Sequence, residues 1–165
     1  MGEFEIRPAR PAELAAVGRL TVDAYRASGY AEADGPYAVT LADAAPRSRE
    51  AELLVAVDAD GSLLGTVTVA PPGSPWAQVA APDELEFRML AVSAEARGRG
   101  IGEALTRAVV DRAAELGLRG VTLSSSGQMT SAHRLYERLG FYRTPGADWQ
   151  PAEDVHLITY RLDLP

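Results

Sequence analysis

Alternating glycines, Gly98, Gly100 and Gly102, stand between a β-rich run and a long segment with an apolar stripe, and this junction constrains the fold more than any other feature. Upstream, Leu85-Glu86-Phe87-Arg88-Met89-Leu90-Ala91-Val92 reads as a strand. Downstream, Ile101, Ala104, Leu105, Ala108, Val109 and Leu116 recur at helical spacing. A strand that turns through glycines directly into a helix gathers backbone N–H groups at the positive end of the helix dipole, a geometry that binds phosphate. A Cβ on those glycines would hold the anion off the backbone and penalise the φ values of the turn. Arg97 and Arg99 concentrate positive charge there, in a chain of formal net charge -7. Two common phosphate loops are excluded: no Gly-Lys-Ser/Thr follows, and the spacing is not Gly-x-Gly-x-x-Gly. The glycines alone are equally compatible with a plain tight turn.

Around this junction the pattern alternates strands and helices without repeats. Glu3 to Arg7 reads as a strand, and Pro11 opens a helix running to about Ala27. Ser28 to Glu50 is irregular, with a short helix expected over Tyr37 to Asp43. Leu53–Val57 and Leu64–Val69 flank Asp58-Ala59-Asp60-Gly61, a hairpin signal. Pro71-Pro72-Gly73-Ser74-Pro75 is a loop. Gly117 or Gly120 ends the long helix before the strand Val121–Ser125, which makes a strand-helix-strand crossover. Thr130 or Ser131 caps a further helix through Leu139, stopped by Gly140. Phe141–Arg143 and Val155–Leu162 supply two last strands around a loop carrying Asp148 and Trp149. The class is α/β (α+β), with a mostly antiparallel sheet flanked by helices and one parallel crossover.

Composition narrows the function. With 165 residues, 47% of them hydrophobic, one domain spanning 1–165 is expected. No run is long and apolar enough for a signal peptide or a membrane span, so a cytoplasmic protein is expected. The absence of cysteine removes thiolate nucleophiles and Cys-ligated metal, and His133 and His156 are too far apart for a local metal motif, so no metal is expected. The acidic charge argues against a nucleic-acid partner and mildly favours a cationic substrate. Basic residues are all Arg, with no Lys or Asn, which suggests a GC-rich bacterial source.

Arg97-x-x-Gly100-x-Gly102, preceded by Met89-Leu90-Ala91-Val92-Ser93, resembles the acetyl-CoA signature of the GCN5-related N-acetyltransferase (GNAT) superfamily. Ala132-His133-Arg134-Leu135-Tyr136, followed by Gly140-Phe141, is similar to the family's later motif. The resemblance implies strands splayed around Leu90 and Leu123 that hold pantetheine against the backbone of Leu90, Ala91 and Val92. It puts the pyrophosphate on the amides of Gly98, Arg99, Gly100, Ile101 and Gly102, with Glu103 at the edge. The Asn that many members carry three residues before the motif's Ala is Met129 here, leaving Gln128, Thr130 or Ser131 as substitutes.

The implied activity is direct acetyl transfer from acetyl-CoA, the cosubstrate, to a primary amine of a small molecule or peptide. The alternative is a non-catalytic acyl-CoA-binding sensor. Acetyl transfer needs a base for the amine and an acid for the departing thiolate. Glu86 matches the catalytic glutamate of one branch of the family, acting directly or through water, and is expected to share a face with Arg88 and Leu90. Another branch's base position is Ser124 here, Glu84 is the fallback, a water-only mechanism stays open, and a solvated carboxylate or pairing with Arg88 is the bland alternative. Tyr136 matches the family's general acid and also suits an aromatic core. His133 is read as solvent-facing, and neither histidine receives a site role. Tyr25, Tyr30, Tyr37, Trp76 and Trp149 are candidates for an acceptor cleft, with Asp34, Asp43 or Asp148 drawing in a cation. The last strands, including Val155 to Tyr160, are expected to offer an edge for a homodimer.

Overall fold

The computed structural model describes residues 3–29, 35–127, 129–153 and 155–165. In chain order these form β1 (Phe4–Pro8), α1 (Leu14–Ala27), α2 (Tyr37–Ala42), α3 (Ala44–Glu50), β2 (Glu52–Asp58), β3 (Leu63–Ala70) and β4 (Glu84–Val92). Then come α4 (Ile101–Glu115), β5 (Gly120–Ser126), α5 (Thr130–Arg138), β6 (Tyr142–Arg143), β7 (Trp149–Ala152) and β8 (Val155–Asp163). The strands build one sheet in the order β1-β2-β3-β4-β5-β8-β6, with β7 also paired to β8. Only the β4–β5 pair is parallel, and α4 is its crossover.

Local chemistry accounts for most boundaries. The β2–β3 hairpin closes through Gly61 at φ 87 and an Asx contact in which Ser62 N–H donates to Asp60 Oδ1 at 3.0 Å. Pro11–Glu13 forms a single 3-10 turn, so α1 begins at Leu14 rather than at Pro11. Glu13 anchors that turn, accepting from Arg10 N–H at 2.8 Å and from both terminal nitrogens of Arg7 at 2.9 and 2.8 Å. The guanidinium holds the Glu13 carboxyl down at about 2. Of the two expected stops for α4, Gly117 is the one used: its N–H donates to Ala114 O and that of Leu118 to Ala113 O, a Schellman pattern.

Other boundaries differ from the sequence expectation. The irregular segment contains a second helix, α3, whose Arg47 is fully buried and donates to the carbonyls of Thr40, Leu41 and Asp43 at the end of α2. A buried cation here substitutes for local periodicity, and no apolar pattern announces it. Neither Thr130 nor Ser131 caps α5; Met129 holds the N-cap position without a side-chain bond. Leu116, assigned to the apolar stripe of α4, is 39% exposed because it lies past the helix end.

The sheet separates two apolar layers. On one side α4 and α5 bury Ile101, Leu105, Val109 and Tyr136 against Val67, Val69, Leu85, Phe87 and Leu123. Each large aliphatic chain buried there contributes roughly 1.5–3 kcal/mol. Gly65 lets α4 approach, since a Cβ would lie 2.8 Å from Ile101 Cγ2 and 2.9 Å from Ala91 O. On the other side α1, α2 and α3 cover Val55, Val57 and Met89 with Val17, Val22, Leu41 and Ala44. Strand β8 is paired on both flanks: Leu157 faces Ser126 of β5 and Trp149 of β7. From Leu157 to Tyr160 the strand is therefore interior to the sheet, which corrects the expectation of a free dimer edge for that stretch. The cause is β7, a strand inside what the sequence presents as a loop.

Candidate active site

The parallel ladder between β4 and β5 is short. Glu84 faces Gly120, Leu85 faces Val121 and Glu86 faces Thr122, and beyond these pairs the strands part. A bulge in β4 produces the divergence. Thr68 pairs with Arg88 and Thr66 with Ala91, so Val67 opposes two residues, and Met89 carries the bulge at φ 56. The extra residue inverts the alternation. Met89 packs with Val22 and Leu41, on the α1–α2 side, whereas Leu90 packs into the α4–α5 core. The expectation that Glu86, Arg88 and Leu90 share one face is thus corrected at Leu90.

Past the parting, the end of β4 borders a cleft of ≈500 Å³ between α1 and α5, lined in part by Leu90, Ala91, Val92, Arg97, Thr130 and Ser131. The residues expected to hold pantetheine therefore lie together with one arginine of the glycine loop. In that loop Gly98 and Gly100 adopt φ 83 and 78, the left-handed region that favours glycine. Gly100 is the N-cap of α4, and no side chain caps the helix. The first-turn amides of Ile101, Gly102 and Glu103 lack intrahelical acceptors by construction. Arg97 is exposed, while Arg99 reaches Asp58 at 3.5 Å. The Glu103 carboxylate is held by Arg107 at 3.3 Å and Arg138 at 3.5 Å, so its amide, not its side chain, belongs to the loop. An uncapped helix start, left-handed glycines and an unpaired exposed arginine together suit a diphosphate.

A smaller pocket of ≈80 Å³ lies at the split itself, among Phe87, Arg88, Leu90, Ser124, Ser125 and Tyr136. Tyr136 is 5% exposed and its ring meets Phe87 edge-on at 5.8 Å. Burial pushes its phenol well above the ordinary range, so the hydroxyl stays protonated at neutral pH and can donate. Among the described residues that hydroxyl makes no hydrogen bond.

Glu86 is fully buried. Its Oε1 accepts the N–H groups of Gln78, Val79 and Ala80 at 2.7, 2.8 and 3.1 Å, and its buried Oε2 has no partner among the described residues. Desolvation raises its pKa against the lowering effect of those amides and of Arg88. The carboxylate thereby staples the loop after β3 to the sheet. Glu84, the fallback, is engaged by Arg161 and by Ala81 N–H.

An outer cleft of ≈460 Å³ is lined by Tyr37, Gln78, Arg88, Trp149, Val155 and Leu157, among others. Tyr37 and Trp149 line this outer cleft, and Tyr25 lines the pocket at the split. Trp76 instead lies beneath the Arg88 guanidinium, 5.4 Å from its ring centroid. Asp148 is consumed by Arg143 and the backbone of Thr159, and Asp43 lines neither space. Tyr30, Asp34 and Gln128 lie outside the described residues. Among the described residues the charged side chain of both spaces is Arg88, opposite in sign to the acids expected there.

His133 is the other residue that sequence reasoning set aside. It is half-buried, stacked on Tyr160 at 5.5 Å, with Nε2 3.1 Å from Ser125 Oγ. Burial lowers its pKa, so the ring is neutral near pH 7. Its spacing of three from Tyr136, which places both on one helix face, was the available signal.

The profile described as the Acetyltransferase (GNAT) family matches residues 15–141. Mycothiol acetyltransferase of Pseudarthrobacter chlorophenolicus is 37% identical over 115 residues, 64% of this chain and 33% of that protein. The chain spans about a third of that relative's length. An acetyltransferase of the GNAT family from Staphylococcus aureus Mu50 superposes with TM-score 0.77 at 15% identity, over 99% of this chain and 100% of the other. A phosphinothricin acetyltransferase from Sinorhizobium meliloti, solved in complex with AcCoA, gives TM-score 0.70 at 23% identity, over 98% and 88%. The two structural likenesses speak for the fold.

Proposed function

The chain belongs to the acetyltransferase (GNAT) family, and on that premise we propose that it transfers an acetyl group from acetyl-CoA to a primary amine of a small molecule or peptide within a ternary complex. One observation carries this reading. Leu90, Ala91 and Val92 of β4 and Arg97 of the loop before α4 line one cleft, and Leu90 also lines the pocket that holds the buried Tyr136. Amides of residues 98–103 and Arg97 would hold the pyrophosphate, and Leu90, Ala91 and Val92 the pantetheine. The group brings the activated thioester; the chain supplies position and protons. In this proposal a single domain spans residues 1–165.

The amine nitrogen forms its bond to the acetyl carbonyl carbon as the carbon–sulfur bond breaks. Glu86 removes the amine proton through Oε2, the oxygen that no amide occupies. Tyr136 donates its phenolic proton to the departing thiolate. The binding-only reading has one observation in its favour, the complete burial of Glu86.

A free-CoA assay with acetyl-CoA and a panel of amines, amino acids and short peptides separates the readings. Amine-dependent release that falls by about 10²-fold or more in Tyr136→Phe, with CoA affinity retained, supports transfer. Calorimetric CoA binding that Gly100→Glu abolishes, without release for any amine, supports the sensor. Absence of CoA binding in the unmutated protein overturns both.

A further inference from the structure

The acceptor side of this acidic molecule is positive. Arg88 stands on β4 just past its last pairing with β5 and lines both the pocket beside Tyr136 and the outer cleft. It is half-buried. Its interactions among the described residues are the face of Trp76, the Trp76 carbonyl at 3.5 Å and the Tyr37 hydroxyl at 3.4 Å. Both hydrogen bonds lie at the outer limit of useful length, and a guanidinium carries five N–H donors. None of these partners is a carboxylate.

The nearest acid along the strand acts on it through space and not through a direct ion pair. Glu86 commits Oε1 to the amides of residues 78–80 and makes no ion pair with Arg88. A second cation on this side, the buried Arg47, donates its hydrogen bonds to main-chain carbonyls, with Asp43 and the phenols of Tyr25 and Tyr37 acting on its charge. Leaving a partly desolvated guanidinium without an anion is unfavourable, and a planar carboxylate is the group its fork fits best. The Trp76 stack fixes the plane of the fork, and Trp76 is itself tied down through Nε1 to Glu50 Oε1 at 3.1 Å. Opposite Arg88 the outer cleft is apolar, with Trp149, Pro151, Val155 and Leu157.

We propose that the acceptor is an amino acid or similar amine whose carboxylate is seated on Arg88, with an apolar body directed to the Trp149–Leu157 wall. This deepens, and rests on, the acetyl-transfer reading. Because Arg88 and Tyr136 line the same small pocket, the carboxylate and the reacting amine are only a few bonds apart. Arg88 thus selects the acceptor and takes no part in the bond changes.

Matched acceptors test this: L-leucine, L-phenylalanine and L-methionine, each against its amide and its decarboxylated amine. Both acetyl transfer and calorimetric binding to CoA-saturated protein are measured. The expected kcat/KM ratio of acid to amide is about tenfold or more, arising mainly in KM, and Arg88→Met brings it toward one. Arg88→Lys, which keeps the charge and loses the fork, gives an intermediate ratio and guards against misfolding of the methionine variant. Amides accepted as well as acids, or a ratio insensitive to Arg88, overturns the proposal while transfer stands. Acids bound tightly through Arg88 without turnover overturn the transfer reading and the acceptor role with it, and leave Arg88 as a carboxylate-binding residue. No carboxylate bound or acetylated better than its amide overturns it outright.

Discussion

In the proposed reaction Glu86 carries two duties that different measurements separate. Its Oε1 organises the loop behind the acceptor cleft, a task that a glutamine oxygen can also perform, whereas proton removal requires the carboxylate. Glu86→Gln should therefore retain CoA binding while kcat falls by about 10²-fold or more. Desolvation raises the Glu86 pKa, so in the wild type kcat/KM should fall as pH is lowered through a value above the ordinary carboxylate range. The stability sign is opposite. A folded-state pKa raised above the unfolded value makes folding most favourable at low pH, and that contribution is lost as pH rises through the folded pKa. The melting temperature of Glu86→Gln relative to wild type should accordingly be higher at pH 8 than at pH 4. A thermal-melt series showing the reverse slope would remove desolvation as the dominant influence on this carboxyl.

Among the elements, the turn that starts α1 depends on charge rather than on apolar pattern. Arg7 on β1 and Glu13 in the 3-10 turn form a bidentate pair, and both side chains are largely covered, at 14% and 17% exposed. The lowered Glu13 pKa contributes stability that is present above the unfolded value near 4.5 and is lost as pH falls toward about 2. Glu13→Gln should melt below wild type at pH 7, and the two curves should converge near pH 2. A gap that persists in acid would assign the effect to the capping of Arg10 N–H instead. The β4 bulge is the corresponding device at the site. It places Met89 on the α1–α2 side and Leu90 on the α4–α5 side, where β4 parts from β5.

For the whole molecule, the cleft couples ligand to stability because its walls come from both layers. Leu90 and Val92 belong to β4, Arg97 to the loop before α4, Ala24 and Tyr25 to α1, and Thr130 and Ser131 to α5. A ligand that binds only the folded state at one hundred times its Kd adds about 2.7 kcal/mol. For a domain of this size that amounts to roughly 5–10 °C. Differential scanning fluorimetry with CoA should show a rise of that order, and Gly100→Glu should eliminate it. A rise that survives the substitution would place the CoA site elsewhere than the α4 start.

What the residues determined by themselves was most of the order of elements, α3 and β7 apart, and the glycine turn that starts α4. Glycines at positive φ, aspartates in a hairpin and an apolar stripe on α4 are local chemistry, and local chemistry is written in neighbouring residues. Glu86 and Tyr136 were legible as titratable groups within motifs of known spacing. What only the tertiary structure decided depends on partners distant in the chain. The Glu86 carboxylate meets amides of a loop, Arg47 reaches carbonyls of another helix, and β7 becomes a strand because β8 lies beside it. The bulge at Met89 is invisible to period-2 reading, since one inserted residue exchanges the faces without altering composition. Arg88 illustrates the difference most directly: in the sequence it is a neighbour for Glu86, and in the fold it is, among the described residues, the charged side chain that lines the outer cleft.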